Sequence, residues 1–252
     1  MNSQYRILMP ECGKIHDLEL PRPQSPYALF DALVQLYMDA KREALKSGPE
    51  PANLFFQTHF GNPQGKTLLD IGCGTGDEAA NYERAGFEVV SGIDPSRSML
   101  DHAFSKVAHP QNFHQAGFER TGFQDQSFDA VVGSYSFHYV DDLDQAYQEL
   151  WRILRPRGLL LLSVPHPFSD LQEPRQFWKD GRKYVNGKVY ERLSVEHPMH
   201  MIQEYFSRTF LLLFDLIEVQ EWGKHELAEQ GESPRLFGYA ARKRAASLLS
   251  KR

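Results

Sequence analysis

The chain has 252 residues, 41% hydrophobic and 24% charged, which places it among globular proteins and excludes a disordered or fibrous class. Lys plus Arg number 28 against 33 for Asp plus Glu, and the resulting net charge of -5 argues against a protein built to grip nucleic acid or an anionic membrane. Two cysteines, Cys12 and Cys73, are too few for a disulfide framework or a four-cysteine zinc site. No apolar stretch approaches the length of a membrane span, and no apolar leader core precedes Glu11, which points to a cytoplasmic protein.

Residues 1–24 hold Pro10, Gly13, Pro21 and Pro23 with no sustained period and read as an irregular arm. Ser25 and Pro26 have the form of a helix cap and first helical residue. Leu29, Phe30, Leu33, Val34 and Tyr37 follow at helical spacing until Gly48-Pro49, and a second apolar piece covers 54–60. From Lys66 the pattern alternates. Strands are expected over 67–71, 87–93, 112–115, 127–132 and 158–164, with helices after the first and over 143–154. Repeated β–α units of this length define a parallel sheet covered by helices and joined by right-handed crossovers. The regularity breaks at Pro165, and Asn186-Gly187 marks the two-residue turn of a hairpin over 183–190. A helix over 201–213 and strands over 216–222 and 235–241 complete the chain. With no helix between them, the last two strands form an antiparallel ending joined by a loop over 223–234; from Lys243 the chain reads as a frayed basic helix at most. The fold class is therefore α/β, a seven-stranded, mostly parallel, doubly wound sheet with an antiparallel last strand. To it are added an N-terminal helical arm (1–65) and a cap insertion (165–199), around a core formed by 66–164 and 200–244.

The informative segment is 68–78, LLDIGCGTGDE, in which Asp70, Gly72, Gly74 and Gly76 follow a strand and open a helix. Glycines suit a tight turn whose backbone approaches a ligand too closely for a Cβ. The spacing is not the dinucleotide G-x-G-x-x-G: the third glycine comes one residue early and Asp77 stands in its place. A carboxylate at Asp70 or Asp77 repels a pyrophosphate, whereas Asp70 suits a ligand carrying an ammonium group. The next strand ends in Gly92-Ile93-Asp94, and an acid at a strand's C-terminal end accepts both hydroxyls of a ribose. Together these features select a nucleoside without a diphosphate, bearing an amino group.

In these motifs the chain resembles class I S-adenosylmethionine-dependent methyltransferases, in particular the small-molecule group typified by quinone-biosynthesis enzymes. The likeness is close over 66–164 and looser over 200–244, and it implies a Rossmann-like core. Besides the glycine turn and Asp94 it includes Ser98-Met99-Leu100, Gln126 to Val132, and the stretch from Arg152 to Leu159. It implies that S-adenosyl-L-methionine is the cofactor, bound by the turn of Asp70, Gly72, Cys73, Gly74 and Gly76, with Gly72 and Gly74 lining the methionine end and Asp94 holding the ribose. Pro95 and Met99 would then pack on the adenine, the backbone near Phe118 and Glu119 would meet its polar edge, and Ser134 would face the methionine amino group. One departure stands out: Gly117 occupies the place of the family's adenine-binding Asp, so Phe118 supplies an aromatic edge instead. Cys73 reads as small filler rather than a nucleophile.

The implied reaction is in-line methyl transfer to a small molecule, for which the protein supplies proximity and orientation. His138, just past the fourth strand, is either a general base or a histidine that packs beside the cofactor. His166, between two prolines at the end of the fifth strand and facing the same crevice, reads as a rigid turn residue. His197 and His200 lack any arrangement that spells zinc, and no metal is expected. The segment 134–137 is not an N-P-P-Y-type motif, and no Cys lies near the fourth or fifth strand, which argues against nucleic acid substrates. The cap carries Phe168, Phe177, Trp178, Tyr184 and Tyr190, with five basic residues from Arg175 to Lys188 against Asp180 alone. A partly apolar, anionic acceptor and an ordinary solvated hairpin fit that composition equally. Two further functions stay open: a cofactor-binding scaffold without activity, and a nucleotide-dependent oxidoreductase, which the misplaced third glycine disfavours.

Overall fold

The computed structural model describes residues 5–8, 15–18, 26–48, 50–190, 193–223 and 234–245. In chain order the elements begin with β1 (Tyr5–Leu8) and β2 (Ile15–Leu18), then α1 (Pro26–Ala44) and α2 (Pro51–Phe60). The core alternates β3 (Thr67–Ile71), α3 (Asp77–Ala85), β4 (Val89–Asp94), α4 (Arg97–Ala103), β5 (Phe113–Gln115), β6 (Phe128–Ser134), α5 (Leu143–Ile153) and β7 (Leu154–Pro165). Next come α6 (Pro167–Gln172), β8 (Gln176–Lys179), β9 (Arg182–Val189) and β10 (Leu193–Pro198). The chain closes with α7 (Ile202–Tyr205), α8 (Arg208–Leu213), β11 (Phe214–Trp222) and β12 (Leu236–Lys243).

The main sheet has seven strands in the order β11-β12-β7-β6-β3-β4-β5. Its core pairings are parallel, while β12 runs antiparallel to both β7 and β11. From β3 the chain winds outward through β4 to β5, then returns with β6 on the other side. The crevice beyond the ends of β3 and β6 is thus the topological switch point, where open α/β sheets bind ligands.

Strict alternation assigns each strand residue to one of two cores. On β7, Leu160, Leu162 and Val164 face α5 and α8, whereas Leu159 and Leu161 face the layer that includes α2 and α3. Helix α5 starts at Asp142, whose carboxylate accepts from the Gln145 N–H at 3.0 Å, and it buries Ala146, Tyr147, Leu150 and Ile153 at helical spacing. Within that layer the Tyr147 hydroxyl donates to the Tyr205 carbonyl at 2.9 Å and meets the Tyr239 hydroxyl at 2.5 Å. Tyr239→Phe removes the donor to Tyr147 and is expected to cost about 1 kcal/mol. Calorimetry should then show the melting temperature lowered by roughly 2–4 °C, with no change in ligand affinity.

Four sequence expectations are revised. The arm is not wholly irregular, because β1 and β2 pair antiparallel, Tyr5 opposite Leu18. The helix expected over 201–213 is two short ones, since the Ser207 hydroxyl caps a new start by accepting from the Phe210 N–H at 3.2 Å. The stretch from Lys243 is no helix where it is described: Lys243 ends β12. The cap is a three-stranded antiparallel sheet, and β9 runs straight through Asn186-Gly187. Its first turn lies instead at Asp180-Gly181, with φ of 49° and 77°. Both dipeptides suit a tight turn; the pairing of Leu193–Pro198 with β9 consumes the second one. Ser25, the loop over 224–233 and the end beyond Ala245 lie outside the described residues.

Candidate active site

A cavity of 1010 Å³ opens at the switch point. Its floor is the glycine turn after β3. Gly72 has φ 69°, and its N–H donates to the Ile93 carbonyl at 2.8 Å, which ties the turn to β4. A Cβ there would fall 2.3 Å from Ser136 Cβ, so the close approach of the chain after β6 requires glycine. The backbone at Tyr135, the next residue but one after β6's Gly133, is also left-handed, with φ 54°, a strained state of the kind that gathers at functional sites.

Asp70 ends the floor. It is buried, and its Oδ2 has no hydrogen-bond partner among the described residues. Burial pushes its carboxyl well above the usual range; Glu78 and Asp94 add to this and Lys41 opposes it. Asp94, at the end of β4, accepts from Gly74 N–H at 2.9 Å and from Ser96 N–H at 2.8 Å. Burial raises it to about 6 against the pull of those two amides. Helix α1 closes this end. Its Asp31 accepts from the Ser96 hydroxyl and from Ser98 N–H at 2.6 and 3.0 Å. Ten residues on, Lys41 Nζ bonds both Glu78 oxygens at 3.0 and 2.9 Å. Burial alone would lower the Lys41 ammonium, but Tyr37, Glu78 and Asp77 hold it above its ordinary value.

Of the residues expected at the cofactor, Asp70, Gly72, Cys73, Gly74, Asp94 and Pro95 line this cavity together with Met99, Phe118 and Ser134. Gly76 and Glu119 do not. Gly76 instead caps α3, and a Cβ on it would meet Ala103 at 2.9 Å. His138 lines the cavity, buried, with Nδ1 unpartnered among the described residues; burial, then His197 and His200, push its pKa well below the ordinary value. His166 is fully buried and does not line the cavity: Nδ1 accepts from Phe168 N–H at 3.1 Å, so Nε2 carries the proton and donates to Glu221 at 3.0 Å. That is the rigid turn residue, capping α6. Of the five basic residues in the cap, only Lys188 lines the cavity. Arg182 is turned toward Asp141, and Lys179 lies over the Tyr184 ring at 5.7 Å.

Of the cap aromatics singled out in the sequence, Tyr190 lines the cavity; sequence reasoning assigned no site role to the lining residues Lys41, Glu78, Ser136, Asp170 and His197, and none to Tyr37 individually. Tyr37 and Lys41 share one helix face at i and i+4, a pattern equally typical of a surface helix. Asp170 and His197 in the cap had no local signal.

A tight glycine turn, a buried carboxylate without a partner among the described residues and a second acid on the adjacent strand meet at the switch point of an α/β sheet. Comparison makes this specific: residues 69–162 match a family described as a methyltransferase domain. The chain is 38% identical over 111 residues to a demethylmenaquinone methyltransferase of Deinococcus radiodurans, covering 42% of this chain and 46% of that one. It is 30% identical over 143 residues to a malonyl-[acyl-carrier protein] O-methyltransferase of Yersinia pestis, covering 56% and 51%. The chain thus spans about half the length of these curated relatives. In fold it matches an S-adenosylmethionine-dependent methyltransferase from Mesorhizobium loti with a TM-score of 0.61 at 22% identity, covering 75% of this chain and 96% of that one. Over residues 69–162 the chain is thus similar to a methyltransferase domain, and over about two fifths of its length to a quinone-biosynthesis methyltransferase.

Proposed function

We propose that the protein transfers the methyl group of S-adenosyl-L-methionine to a small-molecule acceptor in the cytoplasm. The observation that carries this reading is Asp70 Oδ2, buried and unpartnered beside the Gly72 and Gly74 turn. An unpaired buried acceptor is costly, and an ammonium group relieves that cost. When bound, the cofactor supplies an electrophilic methyl on sulfur and its own leaving group. Asp70 takes the ammonium of the amino-acid end, Lys41 is the nearby cation for its carboxylate, and Ser134 and Cys73 complete that wall. Asp94 takes the ribose: each oxygen already holds one backbone N–H and has a lone pair left for a hydroxyl. Pro95, Met99 and Phe118 form the apolar slot for the base, while Gly76 supports the turn from behind.

The acceptor then lies between α1 and the cap, against Phe30, Tyr37, Tyr139 and Tyr190, which makes it partly apolar. An anionic group on it would meet Lys188 and Arg235 at the rim. His138 stands on this side as a neutral base or hydrogen-bond acceptor. Neither a nucleic acid nor a metal enters this scheme. Titration calorimetry with S-adenosylmethionine, its demethylated product and NAD tests the reading: micromolar binding of the first two is expected. Binding of NAD alone would overturn it, and bound cofactor without methyl transfer to any of a metabolite panel would leave a scaffold.

A further inference from the structure

The cap side of the cavity carries polar groups that the methyl donor does not use. Asp170 on α6, His197 on β10 and His138 all line it, and all are buried. His197 Nδ1 lies 3.0 Å from the Pro198 carbonyl, which only accepts. Nδ1 therefore carries the proton, and Nε2 keeps its lone pair. That Nε2 stands 3.9 Å from Asp170 Oδ1, too far for a direct hydrogen bond. Gly187 keeps the space over it open, since a Cβ there would lie 2.6 Å from Nε2. The His138 ring stands edge-on 4.7 Å away, its Nδ1 also without a partner. One wall thus presents a histidine lone pair, a carboxylate and a second histidine nitrogen, the last without a partner among the described residues. Such a wall fits a ligand that donates.

We propose that His197 and Asp170 form the proton-accepting pair for the methyl acceptor, whose nucleophile is a hydroxyl oxygen or an amine nitrogen rather than a carbon. This rests on the methyltransferase reading above. As the acceptor's lone pair forms its bond to the methyl carbon, the carbon–sulfur electron pair leaves with sulfur and the acceptor's proton passes to His197 Nε2. Asp170 faces the resulting imidazolium. Burial lowers free His197 to about 4, so it is neutral and able to accept at neutral pH. Burial, with Glu173, raises Asp170 to about 7. The other titratable groups around the pair are His138 and Tyr139 from the turn before α5, His200 after β10 and Tyr205 on α7. Ionisation of Asp170 strengthens His197 as a base, so turnover should rise through about pH 7.

The test uses methyl-labelled S-adenosylmethionine with a phenol, a primary alkylamine and a 1,3-diketone as oxygen, nitrogen and carbon nucleophiles. The label is expected on oxygen or nitrogen. His197→Asn is expected to lower kcat about 100-fold, in the range for a lost general base, with cofactor Kd within about twofold of wild type. Asp170→Asn should flatten the rise in kcat through pH 7, which a purely structural role would not do. If His197→Asn does not fold, Gly187→Ala decides, because its methyl group occupies the space over Nε2 and should lower kcat without changing cofactor Kd. Label on carbon, label on no acceptor while the cofactor binds, or wild-type kcat in these variants overturns the assignment. Failure of the wild-type protein to bind S-adenosylmethionine would instead overturn the methyltransferase reading.

Discussion

Gly72→Ala should weaken S-adenosylmethionine binding by more than about 100-fold and destabilise the protein by roughly 2–5 kcal/mol. Two penalties combine. The residue has φ 69°, where an alanine costs about 1–2 kcal/mol. Its Cβ would also lie 2.3 Å from Ser136 Cβ and 3.3 Å from Phe118 Cζ. Ser136 cannot step aside, because its hydroxyl donates to the Ile71 carbonyl at 2.7 Å. Phe118 is fully buried. Overpacking of that kind costs about 1–3 kcal/mol, and it displaces the turn that has to meet the ligand. Gly65→Ala is the control: it carries the same left-handed strain, φ 73°, but nothing lies within 4 Å of its Cβ and it does not line the cavity. Calorimetric binding with thermal melting of both variants separates strain from site loss. Wild-type affinity in Gly72→Ala would remove the turn from the binding site.

Asp70→Asn should make the unliganded protein more stable at pH 8 while weakening the cofactor about 10- to 100-fold. Burial, reinforced by Glu78 and Asp94 and opposed by Lys41, raises the Asp70 carboxyl in the folded state. The folded protein therefore holds this proton to higher pH than the unfolded chain, whose carboxyl titrates near about 4. The stability it contributes is complete below that value and is lost as pH rises through the folded one. Asparagine has no proton to lose, so the melting temperature of the variant should fall less than that of wild type as pH rises from about 4. Asp170 shares the direction of the effect, so the slope is reduced rather than abolished. His138 and His197, lowered by burial, act oppositely, with stability lost as pH falls below their ordinary range. The affinity loss follows from removing a charged hydrogen bond worth about 1.5–3 kcal/mol. Unchanged cofactor affinity in Asp70→Asn would show that the ammonium lies elsewhere.

The opposite signs of these two effects on Asp70 express one design. On the proposed reading, the carboxylate is buried at a cost to the empty protein so that it would meet a cation without water competing. On the cap side, burial and Glu173 likewise raise Asp170, to about 7.

What the amino-acid sequence determined by itself is the sheet and the cofactor turn. Apolar runs such as Leu159 to Leu162 are long enough to specify buried strands, and three glycines within five residues after a strand leave few other backbone conformations. Asp94 was legible for the same reason, as an acid at a predicted strand end. These are local signals, and local chemistry suffices to read them. The rest of the cavity lining was decided only by tertiary structure. Tyr37 and Lys41 come from the first helix, Asp170 from α6 and Tyr190 and His197 from the cap, and they meet only once α1 and the three-stranded cap pack over the switch point. The cap's own turn illustrates the limit: Asp180-Gly181 and Asn186-Gly187 are equivalent as local signals. Pairing with Leu193–Pro198 drew the second into a strand, where Gly187 leaves the space that His197 needs. Long-range pairing and packing outweigh a turn preference that is small and local.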